Sequence, residues 1–156
     1  MLRISKLTDY ATVLLAALSS EPASPHSASG LAERTGIAAP TVSKLLKELQ
    51  RAGLVRSTRG ARGGYQLARP ASDISAAEII DAVEGPVALT ECASDEGHCG
   101  LEAHCSVGHS WQQVSHAIRR SLAEVPLTTL IARDAQVKTP DLRAALGGQW
   151  RPLTRA

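Results

Sequence analysis

Residues 28–53 read ASGLAERTGIAAPTVSKLLKELQRAG, and they set the organisation of the chain. A short helix is predicted over about 28–35, because Gly36 suits the left-handed conformation that ends many helices. A second helix is predicted over about 40–52, because proline is favoured at the first helical position and Gly53 ends the run. Two helices joined by a tight, glycine-containing turn form the helix-turn-helix pattern, in which the second helix enters the major groove of DNA.

The second helix of this pattern has two chemically different faces. Apolar residues at helical spacing predict the side that packs on a core, and they are Val42, Leu45, Leu46 and Leu49. Polar and basic residues fall outside that stripe. In a recognition helix the first turn meets base edges and the cations meet phosphates. The candidate DNA-contacting residues of this helix are therefore Thr41, Ser43, Lys44, Lys47 and Arg51.

A β-hairpin is predicted directly after the second helix. Residues 54–56 and 65–68 have strand character, and 57–64, STRGARGG, form a tip between them. A hairpin in this place is the wing of a winged helix. Arg59 and Arg62 at its tip are candidate contacts to the phosphate backbone or to a narrow minor groove. A plain hairpin turn is the alternative interpretation of the glycines.

The charge distribution separates a basic part of the chain from an acidic part. The formal net charge of the whole chain is only +2. Residues 1–70 contain ten Lys and Arg against four Asp and Glu, whereas 71–133 contain three against nine. A basic first half indicates a polyanionic partner there, with a solvated basic face as the alternative. Aromatic residues make up 3% of the sequence, which argues against single-strand binding by base stacking.

Further helices are predicted on either side of the winged helix. One runs over about 5–19, and another opens at Ser75 with a capping box closed by Glu78. A last long helix begins near Ser110, and its apolar stripe comprises Trp111, Val114, Ile118, Leu122 and Val125. This stripe suits a seam against the helix of a second copy, with packing onto its own domain as the alternative. Residues 127–131 predict a short closing helix.

The predicted fold is mainly α with a small β-hairpin wing: a winged helix-turn-helix followed by a long dimerisation helix. The predicted divisions are a DNA-binding region over 1–70, a connecting helix and cysteine-rich loop over 71–109, a dimerisation helix and closing segment over 110–134, and a mobile tail over 135–156. No apolar run reaches the roughly 18 residues that a transmembrane helix needs, so no membrane contact is expected.

Three cysteines lie in the irregular segment after the capping-box helix, at Cys92, Cys99 and Cys105. An odd number argues against a secreted disulfide scaffold and for a reducing, cytoplasmic compartment. Soft thiolates select zinc or iron–sulfur clusters, and these gaps are longer than the knuckles of structural zinc. The spacing favours a cluster, with zinc and no metal as alternatives. The histidines of the segment are candidates for a fourth ligand: His98, His104 and His109.

Five features of this sequence occur together in one known type of protein. They are MLRISKLTDYA (1–11), LAERTGI (31–37), the wing RGARGGY (59–65), the three-cysteine loop and the tryptophan six residues after its last cysteine. Together they resemble the iron–sulfur winged-helix regulators of the IscR, NsrR and SufR type, over residues 1 to about 134. The resemblance implies a dimeric repressor or activator that binds a double-stranded operator and senses cluster supply, redox state or nitric oxide. It is closest to the regulators of SUF cluster-assembly genes.

Two departures from the family pattern concern the ligand set. The first cysteine gap has six residues where the family usually has five, and Gly108 stands where the IscR type has a ligand histidine. The nitric-oxide-sensing branch takes an aspartate near the N-terminus of the partner subunit, and Asp9 matches that position. The resemblance thus implies a fourth ligand from Asp9, His109 or His104. A 2Fe-2S cluster is favoured, with 4Fe-4S as the alternative.

The predicted function is a dimeric transcription regulator, expected to be a repressor, that senses iron–sulfur cluster status. A nitric-oxide or redox sensor of the same family is one alternative. A zinc-stabilised interaction module is the alternative from another class. No enzyme is predicted, because a nucleophilic cysteine needs a positioned base and a pocket, and Cys105 beside His104 is only sequence adjacency.

Overall fold

The computed structural model describes residues 4–60, 62–90 and 107–132. Within these ranges the chain is mainly helical with a two-stranded antiparallel hairpin, as predicted. The elements in chain order are α1 (Lys6–Ser19), α2 (Ala28–Thr35), α3 (Ala39–Arg51), β1 (Val55–Thr58), β2 (Gly64–Leu67), a 3-10 turn (Ala71–Asp73), α4 (Ala76–Glu84), α5 (Gly108–Ala123) and α6 (Leu127–Ile131). No helix in these ranges is long and apolar enough to cross a membrane.

The first four helices begin and end at the residues that the sequence marks. Gly36 ends α2 in the left-handed region with φ 69°, where a side chain would be strained. Ser75 and Glu78 form both hydrogen bonds of the capping box at the start of α4. The predicted helices over 5–19, 28–35 and 40–52 are confirmed to within one residue at each end.

The hairpin is shifted from its predicted position. Its register runs from Val55 opposite Leu67 to Thr58 opposite Gly64, so β1 ends later and β2 begins earlier than predicted. Antiparallel pairing continues until the turn residues, and the tip shrinks to 59–63. Gly63 is required there, because an added Cβ would lie 2.2 Å from the Thr58 carbonyl oxygen.

Two backbone contacts fix the hairpin on the rest of the domain. The His26 N–H donates to the Tyr65 carbonyl at 3.0 Å, and the Tyr65 N–H donates back at 2.8 Å. The Leu54 N–H donates to the Leu49 carbonyl at 2.9 Å. The loop before α2 thus adds one isolated antiparallel bridge to the edge of the hairpin, and the hairpin is tied to the end of α3.

One hydrophobic core joins the winged helix to the elements that follow it. Its largest fully buried side chains come from α1, α2, α3, α4 and α6, and they include Leu14, Leu15, Leu18, Leu31, Leu45, Leu46, Leu49, Ile79 and Leu127. Burial of a Leu or Ile side chain contributes about 1.5–3 kcal/mol relative to its exposure. The core therefore continues past residue 70, where a division was predicted.

The long helix α5 packs on α4, and its predicted apolar stripe is only partly buried. The buried residues of α5 are Gly108, Ser115 and Ala117. Trp111 keeps 43% of its surface exposed, and the remaining stripe residues are half-buried. The helix also begins at Gly108, earlier than predicted, because no side chain caps this end and the sequence therefore carries no start signal.

Candidate nucleic-acid interface and ligand residues

The recognition helix α3 buries its apolar stripe and presents polar residues to solvent. The buried residues of α3 are Val42, Leu45, Leu46 and Leu49. Lys44, Lys47 and Arg51 are exposed. Thr41 and Ser43, nearer the start of the helix, are half-buried. The predicted DNA-contacting side of this helix is thus open to a partner.

The wing tip carries its two predicted cations into solvent. Arg59 and Arg62 are both exposed between β1 and β2. The Gly63 N–H donates to the Gly60 carbonyl at 2.9 Å and closes the turn between them. The arginines therefore sit on a short turn held by a hairpin, and long flexible side chains extend their reach.

Most cations of this surface have no ion pair within the described ranges. Away from it, Arg34 is paired with Glu21 at 3.4 Å, Arg69 with Glu78, and Arg119 with Asp81 at 2.5 Å, whereas Lys6 lies 5.4 Å from the centre of the Tyr10 ring. On α3, Lys44 lies 3.9 Å from Glu48 but keeps 64% of its side chain exposed. The candidate cations without an acidic partner among the described residues are Lys47, Arg51, Arg59 and Arg62. Unpaired cations can neutralise phosphates without first breaking an internal contact.

Arg56 is a further exposed cation of the hairpin that the sequence reasoning did not include. It is exposed on β1, whereas its neighbour Val55 is buried in the core. No ion pair involving Arg56 occurs within the described ranges. The strand alternation of an inward valine and an outward arginine was the signal that could have identified it.

The candidate ligands are only partly within the described ranges. Cys92, Cys99 and Cys105 lie outside them, as do His98 and His104. No group of three metal-ligating residues occurs in the part of the chain that is described. The ligand set therefore stays a prediction from the sequence.

Asp9 and His109 are both described and both exposed. Asp9 lies in the first turn of α1. It lines a largely apolar cavity of about 690 Å³, which is enclosed by the starts of α1 and α4 and by the ends of α5 and α6. The His109 Nε2 lies 3.1 Å from the amide nitrogen of Gln113 on α5. Both side chains are therefore accessible from solvent.

Glu84 is a further polar residue of this region that the sequence reasoning missed. Its carboxylate accepts a hydrogen bond from the Ser5 N–H at 3.0 Å and another from the Thr8 hydroxyl. The Thr8 hydroxyl, together with the Ser5 N–H and against the effect of burial, lowers the pKa of Glu84. No local signal could identify this contact, because Glu84 is 76 positions from Thr8 in the sequence.

A helix-turn-helix and a wing with exposed cations on both define the class of winged-helix DNA-binding transcription regulators. Residues 4–133 match the Rrf2 model, described as an iron-dependent transcriptional regulator. The chain belongs to the Rrf2 family. The family and the relatives it resembles are transcription regulators and not enzymes.

Individual relatives support the same assignment. A putative HTH-type transcriptional regulator of Azotobacter vinelandii is 39% identical over 109 residues, which are 70% of this chain and 66% of that protein. The HTH-type transcriptional regulator IscR of Cereibacter sphaeroides is 33% identical over 138 residues, covering 85% and 89%. The solved structure of CymR, the global cysteine regulator of B. subtilis, superposes with a TM-score of 0.63 at 28% identity, covering 84% and 97%.

Proposed function

We propose that this chain is a dimeric repressor whose affinity for a double-stranded operator depends on an iron–sulfur cluster held by Cys92, Cys99 and Cys105. The observation that carries the DNA-binding part is the unpaired, exposed cationic surface of α3 and the wing. The family description as iron-dependent regulators and the relative named IscR support the cluster part. A cytoplasmic location follows from the need for reduced thiols.

The donor set suits a cluster chemically. Three cysteine thiolates are soft ligands, which iron–sulfur clusters prefer. Asp9 of the partner subunit or His109 of the same chain would complete the set. A 2Fe-2S cluster is favoured over 4Fe-4S, and when bound it would supply sensitivity to oxidants, to nitric oxide or to iron–sulfur supply.

The proposed dimer uses the apolar stripe of α5. Trp111 is exposed, and Ile118 and Leu122 are only half-buried although they line a cavity beside Ile80 of α4. Large apolar side chains that their own domain leaves partly uncovered suit a second apolar surface. The helix of a second copy is the proposed occupant, because operators of helix-turn-helix regulators have matching two-fold symmetry.

A nitric-oxide or redox sensor of the same family is the second candidate. The exposure of Asp9 in the first turn of α1 favours it. A carboxylate is a weak ligand for a soft iron and is readily displaced by an incoming molecule.

Anaerobic purification with iron, sulfide and zinc analysis, followed by footprinting of holo and apo protein, tests these proposals. We expect a coloured dimer, by light scattering, with iron and sulfide and a footprint that depends on the cluster. A colourless zinc protein would instead support the zinc-stabilised module. A coloured protein whose footprint is identical with and without the cluster would contradict the sensing function.

A further inference from the structure

A single carboxylate joins two elements that are far apart in the sequence. Oε1 of Glu84 accepts from the backbone N–H of Ser5 at 3.0 Å and from the hydroxyl of Thr8. We call these three residues the Glu84 clasp. Thr8 is only 4% exposed, so its hydroxyl is held by the fold at the position of the contact, whereas Glu84 itself is exposed.

The clasp lies where two functional parts of the chain meet. Glu84 is the last residue of α4, and after Gly85 turns the chain with φ 83° the sequence leads to the cysteine segment. Thr8 precedes Asp9 on α1, and α1 shares its buried leucines with the recognition helix α3. The clasp therefore adds a polar contact at the end of α4 to the hydrophobic packing that already joins α4 to α1.

Helix capping alone does not explain this contact. Ser5 already caps α1, because its side chain accepts the Thr8 N–H at 3.3 Å. The backbone N–H that Glu84 binds is that of the cap residue, which precedes the helix. The carboxylate therefore adds a connection to α4 that α1 does not need in order to begin.

Resting on the proposed function, we propose that Glu84 is a positioning residue that couples the cysteine segment to the winged helix. In this coupling the end of α4 moves when the cluster is gained or lost, and the clasp passes that movement through Ser5 and Thr8 to α1 and the recognition helix. The clasp also sets the position from which Asp9 approaches a cluster.

The test measures operator affinity of holo and apo protein for Glu84→Ala, Glu84→Gln and Thr8→Val, with Thr8→Ser and Ser5→Ala as matched controls. Thr8→Ser keeps the hydroxyl of the clasp. Ser5→Ala removes the helix cap but keeps the backbone N–H that Glu84 binds. Iron content and far-UV circular dichroism are measured for every variant, so that loss of cluster or fold is recognised.

The wild type is expected to show a holo-to-apo affinity ratio of at least about fivefold. In Glu84→Ala and Thr8→Val this ratio should fall to within about twofold of unity while iron content is retained, and Glu84→Gln should lie between. Thr8→Ser and Ser5→Ala should keep the wild-type ratio. If Glu84→Ala and Thr8→Val kept the wild-type ratio, or if Ser5→Ala lost it to the same extent as they do, the coupling would be overturned and the proposed function would stand. A wild type without iron, or with a ratio of one, would overturn the proposed function and the coupling with it.

Discussion

At the scale of the residue, Lys44 and Lys47 provide the most direct test of the DNA-facing side of α3. Both are exposed, and only Lys44 has an acidic neighbour, Glu48 at 3.9 Å. Each phosphate contact contributes about 0.9 to the slope of log affinity against log salt concentration. We therefore expect Lys44→Ala and Lys47→Ala each to weaken operator binding and to flatten this slope by about 0.9, measured by fluorescence anisotropy at several salt concentrations.

Arg119→Ala is the matched control for these two variants. Arg119 has the same charge but is paired with Asp81 on α4 at 2.5 Å. Its removal should leave the salt slope unchanged. An unchanged slope in both lysine variants would place the phosphates on another surface.

Asp9 and His109 are competing candidates for the fourth ligand, and both are exposed. If Asp9 is the ligand, Asp9→Ala should change the absorption spectrum of the cluster and its reactivity with oxygen or nitric oxide, while His109→Ala should change neither. An acidic residue in the first turn of a helix also interacts with the helix dipole, worth about 0.3–1 kcal/mol, so thermal unfolding is measured in parallel. If only His109→Ala changed the spectrum, the fourth ligand would be assigned to His109 on α5 instead.

At the scale of the element, the wing is predicted to act as a separate DNA-contacting unit. Arg59 and Arg62 are exposed on its tip, and neither belongs to the core. Arg59→Ala combined with Arg62→Ala should lower operator affinity, because the tip loses its phosphate or minor-groove contacts. Circular dichroism and iron content should remain those of the wild type. Loss of iron in the double variant would show that the wing is not independent of the cluster segment.

The capping box of α4 contributes a pH-dependent term to the stability of the fold, because it contains the carboxylate of Glu78. Burial favours the neutral carboxyl of Glu78, but hydrogen bonds from the Ser75 N–H and hydroxyl and from Arg69 outweigh it, so the pKa of Glu78 lies below its ordinary 4.5. A carboxyl with a lowered pKa stabilises the fold above its unfolded-state pKa, and this contribution is lost as the pH falls through its folded-state pKa.

Glutamine can still close the capping box, so Glu78→Gln removes only the negative charge beside Arg69 and at the helix start, and it should lower the free energy of unfolding by roughly 0.5 kcal/mol at pH 7. The difference from the wild type should shrink as the pH falls below 4.5, the ordinary carboxyl value. Urea unfolding followed by circular dichroism between pH 7 and pH 3 measures both values. Glu33→Gln, at an exposed position of α2, is the control and should have little effect. A difference that does not change with pH would assign the role of Glu78 to packing.

At the scale of the whole molecule, cluster and fold should be separable. Among the described residues the hydrophobic core is built from α1, α2, α3, the hairpin, α4 and α6, and all three cysteines lie outside those residues. Replacing Cys92, Cys99 or Cys105 by Ala should therefore abolish the cluster absorption and leave the helical circular dichroism signal in place. Ser94→Ala in the same segment serves as the control. Stable iron in Cys99→Ala would show that the longer first gap has changed the ligand set.

Short-range physics explains which features the sequence alone determined. Gly36 ends α2 because only glycine adopts its backbone conformation without strain, and Ser75 with Glu78 starts α4 through bonds within one helical turn. The stripe of α3 follows from the 3.6-residue period of a helix, which places its leucines on one side. These interactions involve residues a few positions apart, so they can be read without knowing the fold.

The tertiary structure alone decided how these elements come together. Leu127 of α6 joins the core of the winged helix, and α5 buries Ala117 while Trp111 remains exposed. Both choices depend on shape complementarity between surfaces that are distant in the chain. The bond from Thr8 to Glu84 spans 76 positions, and no local pattern specifies which carboxylate reaches which hydroxyl. Only the folded chain brings such groups within hydrogen-bonding distance, because the burial of many other side chains holds them there.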